Sequence, residues 1–174
     1  NGTGTAASGG LSAPFHMDQG EIHFPSATAI LRDPLLLLDI FVEGVKAGRP
    51  LSLESKRLVR EFLYLADEPF RLSERAARGF LSILNAPNAP EALDQMLETG
   101  FLCAFIPEFE PIQDRVQFDH YHLFPVGRHL IQTVRHLKAL HQERDILLAD
   151  IFLDLPDPEP LFVAALFHDI GKTG

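Results

Sequence analysis

The sequence has little of what marks several common protein classes. Cys103 is its only cysteine among 174 residues, so no disulfide can form within the chain and a reducing compartment such as the cytoplasm is expected. Lys and Arg number 15 against 24 Asp and Glu, and the formal net charge of −9 argues against a nucleic-acid partner. The apolar run Leu35–Leu38 ends at Asp39, far short of the roughly 20 residues of a membrane span, so no membrane partner is expected.

Hydrophobic residues make up 46% of the chain, which predicts that most of it folds around a core. Residues 1–13 are the exception, because they are rich in Gly, Ser, Thr and Ala and predict a flexible lead-in. The first residue is Asn1, and the last, Gly174, follows directly after a His-Asp motif. We therefore expect an interior piece of a longer protein, and Cys103 is expected to act as a small buried apolar residue.

The upstream half of the chain predicts one hairpin followed by helices. Strands at Phe15–Met17 and Glu21–Phe24 flank an Asp-Gln-Gly turn, which is a hairpin pattern. Capping residues, prolines and apolar spacing then predict helices in the following places. They are Asp33–Ala47 with Gly48 at its end, Ser52–Ala66, a helix from Ser73 with Ala76, Phe80, Ile83 and Leu84 inward, Asn88–Gly100, and a short turn within Phe101–Phe109.

The downstream half changes character near Pro111–Asp119. A helix is predicted from Pro125 to His141, followed by a less regular stretch from Arg144 to Leu155. The residues of this helix that are predicted to face inward are Val126, Leu130, Ile131, Val134 and Leu137. Asp157 and Pro158 predict the start of the final helix. The predicted fold class is all-α, a multi-helix bundle with a short N-terminal β-hairpin. The predicted divisions are a lead-in at 1–13, a helical domain at 14–112, and a second domain that begins at 113 and runs to 174.

The pair His168-Asp169 is the strongest functional signal. It ends the apolar run Leu161–Phe167, and a carboxylate buried beside such a run needs a partner or a metal to offset its desolvation. His129 lies in the preceding predicted helix, near its middle, and ligands from facing helices are typical of metal sites in bundles. Two imidazoles and one carboxylate suit Mn²⁺, Mg²⁺, Zn²⁺ or Fe²⁺, with Mn²⁺ and Mg²⁺ preferred.

A divalent ion in such a site supports hydrolysis at phosphorus, because it polarises a phosphoryl oxygen and lowers the pKa of bound water. Lys172 could offset charge on the phosphate, or it could be a solvated lysine near a helix end. Four other histidines compete for the role of ligand, with ordinary surface or packing roles as the alternative. They are His120, His122, His136 and His141.

The pattern of His129 followed by Phe-His-Asp-Ile-Gly-Lys at 167–172 resembles the HD phosphohydrolase superfamily. Four longer segments indicate a particular enzyme family within that superfamily. They are 116–129, 161–172, 32–41 and 100–109. Together they are similar to the bifunctional uridylyltransferase/uridylyl-removing enzymes that modify the PII signal protein in nitrogen regulation. The resemblance covers most of residues 15–174, and it implies that 14–112 is a helical linker region and 113–174 the start of an HD-type helical domain.

The resemblance also implies a function and a set of ligands. His129, His168 and Asp169 fall on metal ligands of the family, and a fourth ligand is expected beyond Gly174. The implied activity is metal-dependent hydrolysis of the UMP-tyrosine phosphodiester of PII, beside a nucleotidyltransferase activity elsewhere in the full-length enzyme and with glutamine as its effector. The piece alone is expected to be inactive.

One departure from the family keeps alternatives open. Gly127 and Arg128 stand where the family commonly has an acidic pair before its first metal histidine. The chain could therefore act on a free nucleotide, or it could be a non-catalytic helical scaffold with a degenerate site.

Overall fold

The computed structural model describes residues 14–113, 126–140 and 146–171, and its fold is the predicted one, helices preceded by a two-stranded hairpin. The strands are β1 (His16–Asp18) and β2 (Glu21–His23). The helices up to residue 113 are α1 (Ala27–Arg32), α2 (Leu36–Ala47), α3 (Leu53–Glu61), α4 (Glu68–Arg71), α5 (Glu74–Asn85), α6 (Ala89–Glu98), α7 (Phe101–Phe105) and α8 (Glu110–Gln113). Beyond them lie α9 (Val126–Ala139), α10 (Ile146–Leu153) and α11 (Glu159–Phe167).

The hairpin turns through two residues with positive φ, Gln19 at 48° and Gly20 at 83°. A two-residue turn of this kind matches the twist of the paired strands, and glycine adopts it without steric cost. Ile22 on β2 is fully buried, and its backbone N–H donates to the carbonyl of Pro50 at 3.0 Å. The hairpin is therefore attached to the core through Ile22 and the segment before α3.

Serine caps begin the helices where the sequence predicts them. The backbone N–H of Ser55 donates to the Ser52 hydroxyl, and that of Ala76 donates to the Ser73 hydroxyl, each at 3.1 Å. Each bond satisfies an N–H that has no partner within its helix. At the other end of α2, Gly48 adopts the left-handed conformation with φ 62°.

The structure differs from the prediction in several helix boundaries. The helix that starts at Ser52 ends at Glu61 rather than Ala66, and a 3₁₀ turn at Leu63–Leu65 follows it. Helices α1 and α4 were not predicted, and the stretch expected to be less regular contains α10. Helix α2 begins at Leu36, because Asp33–Leu35 form tight i→i+3 hydrogen bonds in place of the first α-helical turn.

One apolar core joins the two halves of the described chain. Helix α9 packs against α6 and α11, and α11 also packs against α5. Leu130, Ile131 and Val134 of α9 and Leu166 of α11 are fully buried in the same cluster as Ile83 of α5. The division between a domain at 14–112 and one at 113–174 stays a prediction.

Aromatic rings fill the part of the core between α2, α4, α5 and α7. Phe101 and Phe105 stack with centroids 6.0 Å apart, and the edge of Phe70 meets both rings at 6.1 Å. Offset and edge-to-face pairs of this kind add to the energy of area burial. Cys103, on α7, is half-buried and packs against this core. Within the described residues, no helix combines the length and apolar character that crossing a bilayer requires.

Candidate metal centre

Two helices bring the predicted ligands together. His129 is in the first turn of α9, so its predicted position near the middle of that helix is wrong. His168 is the C-cap residue of α11, with φ −60° and ψ −26°, and Asp169 follows it. Helix α10 lies between α9 and α11 in sequence, but α9 and α11 contact each other directly.

The three side chains converge at the end of that contact. Each of His129, His168 and Asp169 offers one donor atom, and these atoms all lie within 4.8 Å of one another. The two imidazole rings meet edge to face, with centroids 5.5 Å apart and planes at 66°. His168 Nε2 lies 3.6 Å from Asp169 Oδ1. Among the residues that the structure describes, this is the only such cluster of three potential metal ligands.

A backbone carbonyl orients the His168 ring. Its Nδ1 lies 2.8 Å from the carbonyl oxygen of Ala165, and because a carbonyl oxygen can only accept, Nδ1 carries the proton and donates. In the neutral imidazole, Nε2 is then the nitrogen with the lone pair, and it is the ring nitrogen that lies 3.6 Å from Asp169 Oδ1. Hydrogen bonding of the far ring nitrogen to a carbonyl is the usual way in which proteins fix a metal-binding histidine.

Burial differs among the three residues. Asp169 is 8% exposed, His129 is half-buried, and the His168 side chain is 39% exposed. A buried carboxylate needs opposite charge or donors to offset its desolvation. The exposed His168 side leaves the cluster open to a molecule from solvent.

The donor set fits a divalent ion. An ion about 2.1 Å from each donor requires the donors to lie roughly 3 to 4 Å apart, slightly closer than the separations of up to 4.8 Å in this structure. Small side-chain rotations would close that difference. Two nitrogens and one oxygen suit Mn²⁺, Mg²⁺, Zn²⁺ and Fe²⁺ alike, and three protein ligands leave positions for water or substrate.

Surrounding contacts hold α9 and α11 in place. The Arg135 guanidinium of α9 forms ion pairs with Glu91 and Asp94 of α6. The Phe167 ring of α11 meets Phe109 edge to face at 6.1 Å. The Thr133 hydroxyl donates to the His129 carbonyl at 3.1 Å, within α9. None of these contacts was predicted from the sequence, although the i, i+4 spacing of Thr133 from His129 was a usable signal.

The other predicted candidates have separate outcomes. His136 is exposed on α9 and is not a member of the cluster. Arg128 is exposed and Gly127 is buried. Lys172, His120, His122 and His141 lie outside the described residues, and their roles stay predictions.

Comparison with known proteins gives a consistent family. Residues 15–105 match the family described as the uridylyltransferase GlnD third domain. Three similar proteins are each named bifunctional uridylyltransferase/uridylyl-removing enzyme. That of Ruegeria pomeroyi is 38% identical over 88% of this chain and 18% of its own length. That of Cereibacter sphaeroides is 36% identical over 93% and 18%, and that of Methylococcus capsulatus is 34% identical over 80% and 17%. The chain thus spans less than a fifth of these relatives.

Proposed function

This chain belongs to the uridylyltransferase GlnD third domain family. We propose that it is a part of a bifunctional uridylyltransferase/uridylyl-removing enzyme, and that it comprises a helical region and the start of a metal-dependent hydrolase domain. The proposed reaction is hydrolysis of the phosphodiester between UMP and a tyrosine of the PII signal protein. The observation that carries the proposal is the convergence of His129, His168 and Asp169 across the α9–α11 contact.

In this proposal His129 and His168 would each give an imidazole nitrogen to a divalent ion, and Asp169 would give a carboxylate oxygen. When bound, such an ion supplies Lewis acidity toward a phosphoryl oxygen and toward water. The Ala165 carbonyl keeps the His168 proton on Nδ1, so Nε2 stays available as a donor atom. Lys172 is proposed to offset negative charge on the phosphate.

The proposed substrate, uridylylated PII, and the proposed effector, glutamine, are those of the full-length enzyme. A phosphodiester on a protein tyrosine needs a site that is open on one side, and the 39% exposure of the His168 side chain supports such access. Glutamine is proposed as the effector of the intact enzyme. Mn²⁺ or Mg²⁺ is proposed as the ion, with Zn²⁺ and Fe²⁺ compatible with the same donors.

The test uses the full-length enzyme and uridylylated PII, with release of UMP as the readout. We expect His129→Ala and His168→Ala to abolish release of UMP. His136→Ala, which changes an exposed histidine on the same helix as His129, should leave the release of UMP unchanged. Wild-type rates in both ligand variants would contradict the proposal. Rapid turnover of a free nucleotide, without turnover of uridylylated PII, would instead identify a nucleotide hydrolase.

A further inference from the structure

A second site lies away from the metal cluster, at the C-terminal end of α9. Lys138 lines an open cavity of about 420 Å³ between α6, α9, α10 and α11. Its Nζ lies 3.7 Å from the centroid of the Phe162 ring. Phe152 of α10 and Ala139 also line the cavity. The Lys138 amine thus lies beside a space large enough for a small organic group.

The charges around Lys138 leave it without an acidic partner among the described residues. The cavity lining contains two other ionisable groups, Glu91 of α6 and Arg135 of α9, and these form an ion pair with each other. Helices α10 and α11 contribute aromatic rings to the lining rather than charges. The other described lysines differ, because Lys46 pairs with Glu43 and Lys56 with Glu98, each at 2.8 Å.

Burial beside an aromatic ring, with no carboxylate partner in the part of the chain that the structure describes, makes the ammonium form costly. Desolvation accordingly lowers the pKa of Lys138 to about 8. The face of the Phe162 ring attracts the cation and acts in the opposite direction to desolvation. A desolvated lysine with a substantial neutral fraction is the form of lysine that proteins use as a nucleophile.

We propose that Lys138 is an acylation site, at which the amine in the cavity between α6, α9, α10 and α11 accepts a small acyl group from an acyl phosphate or an acyl thioester. In this step the Nζ lone pair attacks the carbonyl carbon, a C–N bond forms, and the C–O or C–S bond of the donor breaks. The phosphate or thiolate leaves with the electron pair, and Nζ loses one proton to solvent. The product is an uncharged amide beside the Phe162 ring.

The expected acylation rate at Lys138, relative to other lysines, follows from the fraction of its amine that is neutral. At pH 7.5 an amine of pKa about 8 is about one quarter neutral, whereas an ordinary lysine of pKa about 10.4 is neutral in about one molecule per thousand. A less basic amine is also a weaker nucleophile. With the dependence on basicity known for thiols, a decrease in pKa from about 10.4 to about 8 reduces nucleophilicity roughly tenfold. We therefore expect Lys138 to react at least about tenfold faster than Lys46 or Lys56.

The experiment treats the whole chain with acetyl phosphate and follows each lysine by peptide mass spectrometry from pH 6.5 to 10. The expected result is that Lys138 is acetylated faster than Lys46 and Lys56 at pH 7.5, and that its own rate levels off above about pH 8. In urea the chain unfolds, and the lead of Lys138 should disappear. Equal rates at all three lysines in the folded chain, or a lead that persists in urea, would overturn the proposal.

Discussion

The imidazole rings of His129 and His168 meet edge to face with centroids 5.5 Å apart, although they belong to different helices. The contact depends on α11 ending against the first turn of α9, which directs the His168 ring toward His129. Asp169, one residue further, completes the cluster and is 8% exposed. The proposed metal chemistry therefore depends on how these two helix ends are held together.

Removing a ligand should weaken binding of a divalent ion strongly. Loss of a partner outside the ligand set typically costs about 10- to 100-fold in metal affinity, so loss of a direct ligand should cost at least about 100-fold. We expect Asp169→Asn and His129→Ala to lose Mn²⁺ binding by this amount in calorimetric titrations of the full-length enzyme. His136→Ala is the matched control and should bind as the wild type does. Unchanged affinity in both ligand variants would mean that the ion binds elsewhere.

Removing the Ser73 hydroxyl should destabilise the protein measurably. Ser73 accepts a hydrogen bond from the backbone N–H of Ala76 at the start of α5, and a lost N-cap costs about 1 kcal/mol. The free energy of unfolding of Ser73→Ala, from urea denaturation, should fall by that amount. Ser82→Ala is the control, because the exposed Ser82 hydroxyl donates to the Gly79 carbonyl within the same helix. It should change stability by less than about 0.5 kcal/mol.

Substitutions at Gly48 should destabilise the protein through the backbone conformation at this position rather than through the size of the new side chain. Its φ of 62° is in the left-handed region, and a Cβ at this position would meet no atom within 4 Å. Gly48→Ala should therefore lower the free energy of unfolding by about 1 kcal/mol through backbone strain alone. Gly48→Asn should cost less, because asparagine tolerates this conformation better. Equal losses for the two variants in urea denaturation would argue against this explanation.

The stability contributed by Lys138 should depend on pH. Its pKa of about 8 in the folded chain is below the ordinary value of about 10.4, so between these values the unfolded chain binds more protons. Stability rises with pH wherever the unfolded state binds more protons. We expect the free energy of unfolding of the wild type, relative to Lys138→Met, to increase as the pH rises from about 8 to about 10.4.

Urea denaturation of both proteins at a series of pH values measures this difference, and taking the difference removes the titration of groups that the two proteins share. Lys46→Met is the matched control, because Lys46 forms an ion pair with Glu43 rather than facing a ring. Comparison with Lys46→Met shows whether a gain in stability is specific to the loss of the lysine at position 138. A flat difference for Lys138→Met would indicate that this amine titrates as it does in the unfolded chain.

Local signals carried most of the fold prediction. The caps at Ser52 and Ser73, the glycine at the end of α2 and the Asp-Gln-Gly turn act over four residues or fewer, and all of them occur in the structure. Short helices were harder to predict. Ser26 and Asp67 cap α1 and α4, but those helices have only six and four residues. They are too short to show a repeated helical spacing of apolar residues in the sequence.

The convergence of the three candidate ligands was predictable from the sequence, but the contacts around them were not. The buried position of Asp169 follows from the apolar run before it, and its approach to His129 was expected from facing helices. The hydrogen bond from His168 to the Ala165 carbonyl depends on the exact turn at which α11 ends. The pairing of Arg135 with Glu91 and Asp94 depends on how α9 crosses α6, which no local pattern in the sequence encodes.

The attachment of α9 to α6 and of α11 to α5 makes the ligand cluster mechanically dependent on the upstream half of the chain. His129 is on the helix that packs against α6, and His168 ends the helix that packs against α5, while α9 and α11 also pack against each other. A metal ion tolerates only a few tenths of an ångström in its ligand distances. Substitutions in α5 or α6 that disturb these contacts should therefore change the separation of His129 and His168, although both histidines lie downstream of those helices in the sequence.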